Sequence, residues 1–179
     1  MVDEAGRWVP SVRRFPSTVS LCLYQLKLRP LARWLPPLRR YLMMDFDGSR
    51  PALIDQPMGA AFIMRRSDWE TFGGLDEQFF LWFEEVDLAC RVARVGGKSL
   101  YWPSIVVRHQ EGTSFRQLPR IQRQRIWNRS MLADARRHLG RPQTFVLRAT
   151  VPISLILAAV IDRLPPAMVD PHRKIAAAP

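Results

Sequence analysis

The densest group of reactive side chains is the run Phe83-Glu84-Glu85-Val86-Asp87, which holds three carboxylates within four residues. Four aromatic residues lie in or just before it: Phe79, Phe80, Trp82 and Phe83. Two interpretations are open. In the first, the acids begin a helix and their negative charge stabilises its N-terminus. In the second, the aromatic side chains wall a pocket in which crowded carboxylates raise one another's pKa, so that one of them becomes a general base.

A second candidate is His109, which follows Asp87 by 22 residues at the end of a predicted strand. Gly112 and Ser114 come soon after it and indicate a tight polar turn. A single histidine after a strand is more often a surface or core residue than a metal ligand. Both interpretations stay open on the residues alone.

Arginine dominates the third candidate region, which follows residue 115. Residues 116–179 hold 12 cations and three acids, whereas residues 1–115 hold 15 and 13, so most of the net charge of +11 is C-terminal. This segment is either a solvated face or a site for phosphate groups, as in nucleic acid or an anionic membrane. Along its arginine-rich helix, predicted at 116–139, Phe115 and Trp127 are the only aromatic residues. Because base stacking needs more, nucleic acid is the less favoured partner.

Short elements must position the acidic run. The apolar residues 60–64 predict a buried strand. Ser67 with Glu70 predicts a capping box and a short helix, which Gly73-Gly74 ends.

The next elements flank the acids directly. Residues 87–95 predict a one-sided helix that ends at Gly96-Gly97, and it begins near Glu84 if the acids occupy its first turn. Residues 98–102 and 105–109 predict two short strands.

Helices are predicted at both ends of the chain. A short helix follows Ser17-Thr18, with Pro30 as its stop, and residues 30–44 form an interrupted amphipathic stretch. Residues 116–139 predict a basic helix that ends at Gly140. Residues 144–161 are the most apolar segment, but only 13 consecutive residues lack charge, and a membrane span needs about 20. We therefore expect a buried or interfacial helix there.

The composition is that of a globular protein. The 179 residues allow one domain, and 47% hydrophobic with 24% charged residues exclude a disordered or collagen-like chain. Cys22 and Cys90 are too few and too far apart for a zinc site or a disulfide scaffold. We expect a reduced, cytosolic setting, and the first residues do not have the pattern of a signal peptide.

Several blocks in a fixed order resemble the C-terminal half of family 2 glycosyltransferases, most closely the bacterial rhamnosyltransferase-like branch. The blocks are residues 59–66, 72–80 and 83–88, then Arg91 and Gly96, then Tyr101-Trp102-Pro103, and finally residues 106–109 with Gly112 and Ser114. The resemblance covers roughly residues 5–115, and it rests on the order of the blocks more than on any single motif.

The resemblance implies an α/β chain with a partial GT-A fold, which lacks the N-terminal nucleotide-binding half and carries added C-terminal helices. It implies an acceptor-side half over residues 1–115, followed at 116–179 by a basic helix and an apolar membrane-associating helix. The implied activity is inverting transfer of a sugar, with rhamnose suggested by the branch, from a nucleotide-sugar donor to a lipid-linked or cell-envelope saccharide. The expected place is the cytoplasmic side of the cell membrane, in peripheral contact with its anionic inner face.

The resemblance also assigns roles to residues. Glu85 occupies the position of the catalytic base, where the family usually has Asp, so its carboxylate lies one methylene further out. His109 matches a position that in some members helps to ligate a divalent metal, Mg²⁺ or Mn²⁺, on the donor diphosphate. Five further residues match acceptor-site or diphosphate-contacting positions: Glu84, Asp87, Trp82, Gly59 and Arg91.

One expected part has no counterpart in the sequence. The chain has a single Asp-x-Asp, Asp45-Phe46-Asp47, which lies downstream of the place of the donor motif in such enzymes. We therefore expect a separate N-terminal half to bind the donor, and whether this chain alone is an enzyme stays open. The alternatives are a non-catalytic remnant or accessory subunit and, less favoured, a basic nucleic-acid-binding module.

Overall fold

A computed structural model describes residues 1–110 and 118–163 of the chain as a mixture of helices and short strands. In chain order the elements are β1 (Val12–Arg13), α1 (Thr18–Gln25), a 3₁₀ helix (Arg29–Trp34), α2 (Pro36–Tyr41), β2 (Ala52–Ile54), β3 (Gln56–Pro57), α3 (Arg66–Phe72), α4 (Glu84–Arg94), β4 (Ser99–Tyr101), α5 (Arg120–His138) and α6 (Arg141–Arg163). This mixture agrees with the α/β prediction.

The strands form two small antiparallel ribbons. β1 pairs with β3, and β2 pairs with β4 so that Leu53 lies opposite Leu100. The predicted strand at 98–102 is therefore confirmed in its central residues. The predicted strand at 105–109 is wrong, because only Arg108 forms a single bridge, with Val2 near the N-terminus.

The predicted strand at 60–64 is also wrong. Residues 59–61 form a turn, and the following residues have no ladder partner. Ile63 is 89% exposed, so the apolar run faces a surface cavity and not the core. A short apolar run cannot by itself distinguish these two environments.

The first helices follow their sequence signals closely. Ser17 is the N-cap of α1, and its hydroxyl accepts a hydrogen bond from the Ser20 amide at 3.2 Å. The helix ends at Gln25, several residues before Pro30. The interrupted stretch predicted at 30–44 is confirmed as the 3₁₀ helix and α2, and two prolines begin α2.

Two helices carry the region of the acids. The predicted capping box of Ser67 is wrong, because α3 begins at Arg66 and has no side-chain cap. Gly73 ends α3 as predicted, in the left-handed conformation with φ 71° that glycine adopts without strain. The prediction for α4 is confirmed, since it begins at Glu84 and ends just before Gly96-Gly97.

The two long C-terminal helices follow one another through a turn at Gly140. α5 ends at His138, close to the predicted end. It begins at Arg120, later than predicted: residues 118 and 119 are not helical, and 116 and 117 lie outside the described residues. A hydrophobic core joins α5 and α6 to the preceding elements; its buried members are Leu21, Phe79, Phe83, Val86, Met131, Ala135 and Leu147. The core therefore crosses the boundary predicted at residue 115.

α6 is longer than the sequence predicted. It runs through 23 residues, because the helix continues across the charged residues that bound the 13 uncharged ones. Over the residues that the structure describes, it is the one helix long and apolar enough to cross a membrane, and less than a quarter of its apolar window is buried. The core helix of a soluble protein passes the same test of length and composition, so this test alone does not assign a membrane span.

Candidate active site

The chain enters α4 through an unusual backbone. Trp82 and Phe83 both have positive φ, 62° and 72°, in a region that bulky side chains rarely occupy. Each such residue costs on the order of 1 kcal/mol. Phe83 offsets part of this cost by burying its ring in the core, and Trp82 packs partly buried against the same cluster. The result is that Glu84 and Glu85 become the first two residues of the helix.

The two glutamates lie side by side with unsatisfied oxygens. The Oε2 atom of each is buried and has no hydrogen-bond partner in the described part of the chain. Gly59 lies against both, since a Cβ atom built on it would be 3.6 Å from Glu84 Oε1 and 3.6 Å from Glu85 Cδ. The structure thus brings together three residues that the sequence assigned to one site.

Burial gives Glu85 an altered acidity. Loss of hydration, reinforced by the neighbouring charge of Glu84, raises the pKa of Glu85 to about 7. Its own amide, Arg13 and the Gly59 amide favour the charged form but do not offset the burial. Burial also raises the pKa of Glu84. A carboxyl group with a pKa near 7 can accept a proton at neutral pH and hold it during a reaction.

Glu85 also lines a cavity of about 640 Å³. One face of α4 forms a wall through Leu88 and Val92, the segment before α3 contributes Phe62 and Arg65, and residues 97–100 close another side. The lining is partly polar and partly apolar, as in many small-molecule sites. Glu85 is the one predicted site residue in this lining among the described residues.

Asp87 has a different environment although it belongs to the same helical turn. Its side chain is 0% exposed, and its oxygens accept hydrogen bonds from Arg91 Nε at 2.9 Å and Arg137 Nη1 at 2.8 Å, while His138 Nε2 lies at 2.8 Å. Burial alone would raise the pKa of Asp87, but these three partners outweigh it and lower the pKa. Asp87 therefore joins α4 to the end of α5.

Arg91 completes this connection on the other side. Its guanidinium donates to the carbonyl oxygens of Phe72 and Gly74, at the end of α3, as well as to Asp87. The contacts of Asp87 and Arg91 are thus with the protein's own elements, and they hold the helix on which Glu85 lies. Their predicted contacts with an acceptor or a diphosphate remain predictions.

The surroundings of His109 were compared with its predicted role as a metal ligand. Its amide donates to the carbonyl oxygen of Val2 at 3.0 Å. Within residues 1–110 and 118–163, no three His, Cys, Asp or Glu side chains are grouped so as to hold a metal ion. The described residues alone therefore do not form such a site, and the predicted role of His109 stays a prediction. Gly112 and Ser114, which belong to the same block of the resemblance, lie outside the described residues.

Three residues near the acids escaped the sequence prediction. Arg13, brought by β1, acts on the charge of Glu85, and His138 contacts Asp87. Asp134 is buried on α5, and burial with the charges of Asp87 and Glu85 raises its pKa to about 7. For Asp134 and His138 the sequence offers one signal: they are four residues apart on a predicted helix, and such pairs lie on the same face of a helix. Arg13 has no comparable signal.

Comparisons with known proteins bear on this site. No protein-family model matches the chain, and no solved structure matches it. Two curated proteins from two strains of Mycobacterium tuberculosis are similar to it, and each is named N-acetylglucosaminyl-diphospho-decaprenol L-rhamnosyltransferase. Each is 30% identical over 114 residues, which are 63% of this chain and 36% of the relative. The chain thus spans about a third of the length of these relatives, and the similarity supports a relationship to glycosyltransferases.

Proposed function

We propose that this chain is the acceptor-side part of an inverting glycosyltransferase and that Glu85 is its general base. The observation that carries the proposal is a buried carboxylate with a free oxygen, at the wall of a 640 Å³ cavity and with a pKa near 7. The similarity to curated rhamnosyltransferases supports glycosyl transfer as the kind of reaction.

The reaction uses Glu85 in one step. A hydroxyl oxygen of the acceptor attacks the anomeric carbon of the nucleotide sugar, and its proton moves to the Glu85 carboxylate. The bond to the nucleoside diphosphate breaks at the same carbon, and the bonding electrons leave with the diphosphate, which inverts the configuration. A base whose pKa lies near the working pH serves such a transfer best.

The donor needs more than the described residues supply. We propose that a separate N-terminal half, in the same or another polypeptide, binds the nucleotide and holds most ligands of a divalent metal, Mg²⁺ or Mn²⁺. That ion would neutralise the departing diphosphate, and His109 is the residue of this chain that the resemblance assigns to it. The proton transfer itself takes place between the acceptor hydroxyl and Glu85.

We propose a lipid-linked or cell-envelope saccharide as the acceptor and rhamnose as the transferred sugar, by analogy with the names of the relatives. The exposed apolar residues of α6 and the basic surface of α5 support peripheral contact with the anionic inner face of a membrane. A membrane-bound acceptor would then be presented at the surface on which the protein lies.

The test is a transfer assay with the full chain, the donor-binding half, a nucleotide-activated rhamnose and a polyprenyl-diphosphate-linked N-acetylglucosamine. We expect Glu85→Gln to lower the rate of transfer by about 10²- to 10⁴-fold, because an amide cannot accept the proton. Glu77→Gln, a neutral substitution of an exposed glutamate, is the matched control and should leave the rate unchanged.

The outcomes separate the proposals. Wild-type turnover by the Glu85→Gln variant would refute Glu85 as the base. An absence of transfer by the wild-type protein, together with an absence of heat on titration with nucleotide sugars and Mn²⁺, would favour the accessory-subunit alternative.

A further inference from the structure

Three charged residues besides Glu85 line the cavity, among those that the structure describes. Arg65 lies just before α3, Asp68 belongs to the first turn of α3, and Lys98 follows α4. All three are exposed, and none forms an ion pair or a side-chain hydrogen bond within the described part of the chain. Charged groups that have no protein partner and line one cavity are available to a ligand.

The residues that the sequence predicts to bind the acceptor differ in this respect. Asp87 and Arg91 use their side chains on one another and on groups of α5 and of the end of α3, and neither lines the cavity. Gly59, Glu84 and Trp82 do not line it either. Other residues must therefore hold a ligand beside Glu85, and the three unpartnered charges lie where they can do so.

The two signs of charge in this lining restrict the class of ligand. An ionised phosphate has only acceptor oxygens and would be repelled by Asp68, whereas a cation would be repelled by Arg65 and Lys98. A hydroxyl group both donates and accepts hydrogen bonds, so a ligand with several hydroxyls can bond to the carboxylate and to the two cations at once. The mixture therefore favours a neutral, polyhydroxylated molecule.

An aromatic side chain in the same lining suits a sugar. Phe62 is half-buried in the cavity wall and stacks on Trp69 of α3, with 6.3 Å between the ring centroids and 28° between the ring planes. A sugar ring has an apolar C–H surface besides its hydroxyls, and an aromatic ring held in place offers that surface apolar contact. The volume of about 640 Å³ also lies in the range of small-molecule sites.

We propose that Arg65, Asp68 and Lys98 bind the hydroxyl groups of the acceptor's terminal sugar, whose C–H surface lies against Phe62, and that they hold this sugar beside Glu85. The assignment rests on the transferase function proposed above. It makes these residues binding and positioning groups, because the proton of the attacking hydroxyl still moves to Glu85. Binding of the sugar by itself requires neither a donor nor transfer.

The first experiment titrates the monosaccharide N-acetylglucosamine into the full chain and follows the amide NMR signals. We expect Asp68→Asn and Arg65→Gln each to weaken sugar binding by about fivefold or more, because each removes a charge-assisted hydrogen bond. The matched controls are Glu70→Gln and Arg66→Gln, which remove the same charges from exposed residues of α3 outside the cavity lining.

Equal affinities of the site variants and their controls would overturn the proposal. An absence of sugar-dependent shifts in the cavity lining at about 100 mM sugar would overturn it too, since a ligand of this size is expected to bind in the millimolar range.

Inorganic phosphate tests the competing class of ligand. A sugar needs both signs of charge, so Asp68→Asn and Arg65→Gln should weaken its binding alike. An anion site needs only the cations: phosphate would then bind more weakly to Arg65→Gln and more tightly to Asp68→Asn, with sugar binding unchanged in both variants. That pattern would refute the saccharide assignment.

The transfer assay separates this proposal from the role of Glu85. A contact made equally in the ground state and the transition state affects KM alone, so Asp68→Asn should raise the KM for the acceptor by about fivefold or more and change kcat by less than about twofold. If Glu85→Gln transfers at the wild-type rate while Asp68→Asn still loses sugar affinity, the base is refuted and the sugar site stands. If Asp68→Asn keeps wild-type sugar affinity while Glu85→Gln loses transfer, the base stands and the sugar site is refuted.

Discussion

The first turn of α4 holds acids in two opposite states. Glu85 has a buried oxygen that finds no partner among the described residues, and its pKa is raised to about 7. Asp87, two residues later, is bound by two arginines and a histidine, and its pKa is lowered. Both are removed from water, and both belong to the same helix N-terminus. Burial therefore does not decide the acidity of these groups; the partners that the rest of the fold supplies do.

The two acids are therefore suited to two different roles, anchoring the helix and transferring a proton. A carboxylate that is fully hydrogen-bonded has no capacity left for a substrate, but it fixes the elements around it. A carboxylate with a free oxygen beside a cavity costs stability and can take part in proton transfer. The protein places the second kind of group on a helix that the first kind anchors to α5 and to the end of α3.

The largest expected effect comes from removing the anchoring acid. Asp87→Asn should lower the free energy of unfolding by about 3–5 kcal/mol, because it leaves Arg137 and His138 without their anionic partner. Urea denaturation at pH 7 measures this loss, with Glu70→Gln at an exposed position as the control. An Asn variant as stable as the wild type would mean that Asp87 does not anchor the helix.

The second effect has the opposite sign. Glu85→Gln should raise the free energy of unfolding at pH 8 by on the order of 2–3 kcal/mol, because it removes a buried charge whose folded pKa is about 7 against an ordinary value of 4.5. Between these two values the folded protein keeps a proton that the unfolded chain releases, so wild-type stability falls as the pH rises from 4.5 through 7.

Denaturation curves at several pH values measure this slope, which the Gln substitution should reduce. Part of the slope should remain in this variant, because burial also raises the pKa of Asp134 to about 7. A Glu85→Gln variant that is less stable than the wild type at pH 8 would contradict the claim that the buried charge of Glu85 destabilises the folded protein.

A smaller loss is expected when Asp87 keeps two of its three partners. Arg137→Gln removes the hydrogen bonds to Asp87 and to Asp76, both 2.8 Å long, from a side chain that is 35% exposed. The free energy of unfolding should fall by about 1–2 kcal/mol. Arg136→Gln, an exposed neighbour, is the matched control. Equal stability of the two variants would show that Arg137 contributes nothing to the anchor.

The smallest expected effect concerns the surroundings of Glu85. Gly59→Ala would place a methyl group about 3.6 Å from both glutamate side chains, an ordinary contact distance. Stability should change by less than about 0.5 kcal/mol, as at a surface position without steric conflict. The pKa of Glu85 should rise slightly because the methyl group excludes water, and an NMR titration of the variant measures this. A fall in that pKa would contradict the placement of Gly59 against the carboxylate.

The sequence predicted the elements whose signals are local. Ser17 capped α1, Gly73 ended α3, and the acids at 84 and 85 began α4, because caps and first-turn charges act within one turn of a helix. The strands predicted at 60–64 and 105–109 failed, since a strand needs a partner that local apolarity does not reveal. The length of α6 was underestimated because a helix can continue through charged residues that reach solvent.

The candidate site was predicted in part for a similar reason. The resemblance brought Gly59, Glu84 and Glu85 together, and the structure places them in contact. The state of Asp87 could not be foreseen, since Arg137 and His138 come from a helix about 50 residues later and meet it only in the folded chain. The unpaired Oε2 atom of Glu85 likewise could not be foreseen, because only the folded structure shows that none of the described residues donates a hydrogen bond to it.

The most direct test of Glu85 as a buried base is its own pKa, measured by NMR titration of the chain labelled with ¹³C at the glutamate carboxyl groups and assigned with Glu85→Gln. We expect a titration near pH 7, which shifts to lower pH in the Glu84→Gln variant because the neighbouring charge is gone. A titration near the ordinary value of 4.5, with no response to Glu84→Gln, would contradict this role.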